Sequence, residues 1–138
     1  MKRTVVIIAT IAGLAISGCN SKKEITGGNP STPVEEPQST PAAVANTIFN
    51  AAATGDYSAL PALVASDADG DSKRIAAVAS DEKTQVEFKK YFEKGKLNGA
   101  PVIDGDKASV KILFGPDGDK EETFEMVKVD GKWFLKSF

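Results

Sequence analysis

Few residues in this chain can do chemistry, and the choice of types narrows what chemistry remains. Histidine is absent, which removes the commonest general base and the commonest metal ligand. There is a single cysteine, Cys19, so no disulfide can form within one chain. Asp67, Asp69 and Asp71 alternate like the start of a calcium loop. That loop needs Gly at its sixth position and Glu at its twelfth, where this chain has Ser72 and Val78. The three acids therefore read as a solvated, capping turn, and no metal is expected. Asp56 reads as a cap, and Tyr57 and Tyr91 as amphipathic core residues with the ring in and the hydroxyl out. No P-loop, dinucleotide fingerprint, nucleophile elbow or zinc spacing occurs. The chain is thus expected to be no enzyme and to need no cofactor.

Cys19 carries the firmest message. Lys2-Arg3 precede an apolar run from Thr4 to Ile16, and Ser17-Gly18 lead into Cys19. This is the layout of a secretory signal, with an apolar stretch well short of the roughly 20 residues that span a bilayer. Ile16-Ser17-Gly18-Cys19 resembles the bacterial lipobox. That resemblance implies cleavage of residues 1–18 and a diacylglycerol on the Cys19 sulfur. Two or three acyl chains anchor stably where one does not. The expected partner of Cys19 is therefore a membrane, and the expected location is the bacterial cell envelope. Asn20 in place of Asp favours the outer over the inner membrane where there are two.

Removing the leader takes Lys2 and Arg3 with it, which leaves 120 residues with a formal charge of −4. A mildly acidic chain is a poor nucleic-acid binder, because the phosphate backbone calls for a basic stripe. It also has no general attraction for anionic lipid. One domain is the most that this length allows.

Residues 19–40 form the lipidated Cys and a tether. Gly27-Gly28, Pro30, Pro33 and Pro37 are mixed with polar residues, and only Ile25 and Val34 are apolar. Such a segment cannot bury enough surface to offset its ordering entropy. As a coil it spans ~25 Å.

The domain is expected over 41–138. Thr40-Pro41 signals a helix start, Val44, Ile48, Phe49 and Ala52 make its apolar face, and Gly55 its end. Tyr57, Leu60, Leu63 and Val64 suggest a second short helix. Residues 72–94 are helical in composition, as one bent helix or two. Ser80-Asp81 is a restart point, and Thr84 with Glu87 has capping-box spacing. Phe88, Tyr91 and Phe92 form an i, i+3, i+4 stripe.

From Leu97 the apolar period becomes two. Pro101-Val102-Ile103 suits an edge strand, and Ala108, Val110, Ile112 and Phe114 mark a half-buried strand. Asp130-Gly131 is a tight-hairpin signal. It sets Met126 opposite Leu135 and Glu125 opposite Lys136, and it gives one face Phe124, Met126, Trp133 and Leu135. Helices followed by an antiparallel meander make an α+β fold, with N-terminal helices packed on a curved sheet of about four strands. The stripe Phe88, Tyr91, Phe92 is expected to face Phe114, Phe124, Met126, Trp133 and Leu135. These residues form a core if they meet and line a pocket if they stand apart.

The run Ala51-Ala52-Ala53-Thr54-Gly55-Asp56-Tyr57 and the hairpin Val129-Asp130-Gly131-Lys132-Trp133-Phe134 resemble small nuclear-transport-factor-2-like lipoproteins. The resemblance implies a cone of helices in a curved sheet. The acid–base residues of that superfamily's enzymes map onto nothing here. The leading expectation is a ligand-binding or protein-interaction module with a small-molecule or envelope-protein partner. The alternatives are an assembly subunit that dimerises through the outer sheet face, and an enzyme using carboxylates and tyrosine.

Overall fold

The computed structural model describes residues 35–138. The leader, Cys19 and the tether up to residue 34 lie outside the described residues. Helix α1 (Pro41–Thr54) starts where Thr40 Oγ1 accepts a 3.0 Å bond from Ala43 N–H and Pro41 needs no donor partner. It stops at Gly55, whose φ of 80° only glycine adopts freely and whose N–H reaches Ala51 O. Its Val44, Ile48, Phe49 and Ala52 are buried.

Helix α2 (Leu60–Leu63) is one turn, with Pro61 in it. Asp56 does not cap it. Its carboxylate folds back on Ser58 in a local turn instead. The helical stretch after residue 70 is two helices. α3 (Gly70–Ala77) is capped by Asp69 and passes through a tight turn, Val78–Ser80, before α4 (Glu82–Phe92). Asp81 caps α4, accepting from Lys83 N–H and from the Thr84 hydroxyl. The Thr84–Glu87 pair is thus no capping box, because the earlier Asp81 already takes the first-turn donors. Glu82 in the first turn and Lys89 and Lys90 in the last suit the helix dipole.

The helices pack on one face of an antiparallel sheet of β1 (Lys96–Leu97), β2 (Val102–Asp104), β3 (Lys107–Phe114), β4 (Lys120–Val129) and β5 (Lys132–Ser137). This is the α+β architecture, with five strands where about four were expected. The difference is β1. It shares one edge of β3 with β2, and Gly99-Ala100-Pro101 breaks the edge between them. Asp130-Gly131 makes the tight turn with φ values of 50° and 80°. The expected register holds from Val129 opposite Lys132 to Met126 opposite Leu135. It then fails. A bulge sets Glu125 opposite Ser137 instead of Lys136. Glu125 takes its bonds from the Ser109 hydroxyl, and Lys136 pairs with Asp67.

The free edge of β5 is covered by segments without strand signals. Ala65 N–H bonds to Leu135 O at 2.8 Å, and Asp69 N–H to Lys136 O at 3.0 Å. Gln38 clamps Trp133 from both sides. Its carbonyl accepts from Trp133 N–H, and its amide donates to Trp133 O and Ala62 O. Gln38 reads as tether by composition. Here it satisfies an edge that would otherwise expose backbone groups.

Candidate functional site

Phe92 is the hub of an aromatic cluster. Its ring lies 4.8 Å from Phe88, 5.3 Å from Phe114 and 6.4 Å from Phe124, all nearly stacked. Phe49 of α1 stacks on Phe124 from the far side at 6.2 Å. Tyr57 meets Phe88 edge-on. Four elements deliver these rings. α4 supplies its i, i+4 pair, β3 and β4 their inward period-two positions, and α1 its apolar stripe. The last ring is Phe138. The bulge at Glu125/Met126 puts β5 one residue out of its earlier alternation. Ser137 then faces Glu125, and Phe138 comes to the buried side, 5.1 Å from Phe124.

Beside this cluster, between α3, α4 and the end of β5, is an open hollow of about 240 Å³. Phe88, Phe92, Phe114 and Phe138 form its apolar floor with Ile75 and Val78. Its rim carries Asp71, Arg74, Thr84, Glu87 and Tyr91. Asp71 and Arg74 are joined at 2.8 Å, and both are exposed, so the pair adds little stability.

The eight expected lining residues therefore divide. Phe88, Tyr91, Phe92 and Phe114 border the hollow. Phe124, Met126 and Leu135 lie beneath the surface, within the core. Trp133 is buried at the hairpin end, with Lys128 Nζ 5.7 Å from its ring and Gln38 on its backbone. Tyr91 is a correction to the facing stripe. It is 41% exposed, because α4 turns only positions 88 and 92 squarely toward the sheet. Phe138, Ile75 and the Asp71–Arg74 rim join the site beyond the eight expected residues. Ile75 and Val78 stand at helical i, i+3 spacing, whereas plain period-two alternation from Trp133 and Leu135 sets Phe138 on the other face.

Four aspartates, Asp56, Asp67, Asp69 and Asp81, are spent on structure. Asp69 Oδ2 accepts from Ser137 Oγ at 2.6 Å and from Phe138 N–H at 3.2 Å, while Oδ1 caps Ser72 N–H at 2.8 Å. The Ser137 hydroxyl first, and then these other donors, hold its carboxyl well below the usual carboxylate range despite some desolvation. Lys136 lowers Asp67, Ser58 lowers Asp56, and Thr84 lowers Asp81. All four shifts favour the ionised acceptor. A general acid needs the opposite direction. Asp67, Asp69 and Asp71 turn to different partners, and among the described residues no cluster of three metal-ligating side chains occurs.

No family model and no curated protein matches the chain. Among solved structures it is similar to a protein from Campylobacter jejuni described as a candidate NTF2-like transpeptidase. The two are 19% identical, with 72% of this chain and 99% of that chain covered, at a TM-score of 0.47. The activity in that description is said of the Campylobacter protein.

Proposed function

We propose that this chain is an envelope lipoprotein of the nuclear-transport-factor-2-like kind, anchored through Cys19, whose folded domain is a binding module. The observation that carries the reading is the hollow beside Phe92, with an aromatic floor and a charged rim. Apolar floors with a few polar groups at the edge are the usual form of ligand sites.

A photo-crosslinking residue in place of Tyr91, on the rim, tests this in cells, with the same residue at Thr123 on the opposite sheet face as control. A discrete adduct at Tyr91 alone supports the module. Adducts at neither position refute it. Adducts to a second copy from Thr123 would favour the assembly-subunit reading. That reading draws on the outer-face hollow of about 450 Å³ bordered by Val64, Val127, Val129 and Phe134. The anchor has its own test. Cys19→Ser should abolish incorporation of labelled fatty acid, and labelling that persists would end the lipobox reading.

A further inference from the structure

Phe138 stands between the open hollow and the core. Its ring borders the hollow, yet it lies 5.1 Å from Phe124, 5.4 Å from Phe114 and 5.5 Å from Phe92. Against Phe124 and Phe114 it is nearly perpendicular, at 77° and 74°, the edge-to-face arrangement that aromatic quadrupoles prefer. Phe138 follows directly on β5 (Lys132–Ser137), and a group outside the sheet holds its backbone. That group is Asp69. One carboxylate oxygen takes both the Ser137 hydroxyl and the Phe138 N–H. Neither of those two bonds belongs to the strand ladder, so both can be released with every pair of the sheet intact.

We propose that Phe138 is a displaceable plug. Its ring fills a slot shaped for one aromatic ring, and the Asp69 latch sets how often that slot opens to a planar aromatic ligand. The proposal rests on the binding-module reading of the same hollow and names its ligand class. The ring already seated there defines what fits: a flat apolar group approached by the edges and faces of Phe92, Phe114 and Phe124. While the plug is closed most of the time, the apparent affinity for a ligand falls by the fraction of molecules that are open.

The test is indole binding to the full chain, measured calorimetrically for wild type, Ser137→Ala and Phe138→Ala, with near-ultraviolet circular dichroism reporting the fold. Ser137→Ala loosens the latch and leaves every slot ring in place. The expected order of affinity is wild type weakest, Ser137→Ala intermediate and Phe138→Ala about tenfold or more tighter than wild type. Cavity creation alone would improve Phe138→Ala and leave Ser137→Ala at the wild-type value. That result overturns the plug, as do equal affinities in all three proteins. If Phe138→Ala fails to fold, the Ser137→Ala comparison decides. Crosslinking at Tyr91 together with indole binding indifferent to Ser137 would retain the binding module and discard the plug.

Discussion

Asp69 and Ser137 are 68 residues apart and share a 2.6 Å hydrogen bond that ties the start of α3 to the end of the sheet. Folding lowers the carboxyl pKa of Asp69, so the folded chain binds its proton less tightly than the unfolded chain does. The stabilisation is complete above the unfolded value of ~3.9 and drains away as pH falls below it. Asp56, Asp67 and Asp81 shift in the same direction. The melting temperature should therefore hold near neutrality and fall on acidification below about pH 4. Asp69→Asn should melt lower at pH 7 and show a shallower acid limb. Parallel acid limbs for the two proteins would show that Asp69 contributes nothing by its charge.

Phe124 is fully buried among Phe49, Phe92 and Phe138. Phe124→Ala should cost ~3–5 kcal/mol, a large share of a small domain's stability. Phe92→Ala should cost somewhat less, because its side chain also borders the hollow. Urea unfolding followed by the emission of buried Trp133 measures both. Losses under ~1 kcal/mol at both sites would mean the rings do not form the core.

Gly95 has no room for a β-carbon. One built there would overlap the Phe49 ring and stand 2.9 Å from Phe92 O. Gly95→Ala should destabilise by ~1–3 kcal/mol through overpacking. In a Phe49→Leu background the same change should cost less, since the ring it strikes is gone. Additive costs in the double-mutant cycle would place the strain elsewhere.

The alternating acids at 67–71 should not respond to calcium. Lys136 holds Asp67, Ser137 and α3 hold Asp69, and Arg74 holds Asp71. Millimolar calcium should leave the melting temperature unchanged. A rise of several degrees that a chelator reverses would mean the three carboxylates can abandon these partners for a metal.

Many local signals in this chain act alone, and local structure follows them, although Asp56 and the Thr84–Glu87 pair do not cap as their spacing suggests. Thr40-Pro41 and Gly55 bound α1, Asp81 starts α4, and Asp130-Gly131 turns the hairpin, because each acts on backbone groups within four residues of itself. Alternation in β3 and β4 separates a buried face from a wet one, which makes Phe114, Phe124 and Met126 legible as inward residues. Tertiary structure decided what distant segments do to one another. The bulge opposite Glu125 moves one residue out of alternation, which turns Phe138 inward and denies Lys136 its expected partner. The cover of the β5 edge by Gln38, Ala65 and Asp69 likewise has no local cause. Those backbone groups need partners only once the sheet exists, and which segment supplies them depends on where the helices leave the chain. The hollow has the same origin. Its floor is drawn from α3, α4, β3 and the end of β5, and no stretch of sequence contains it.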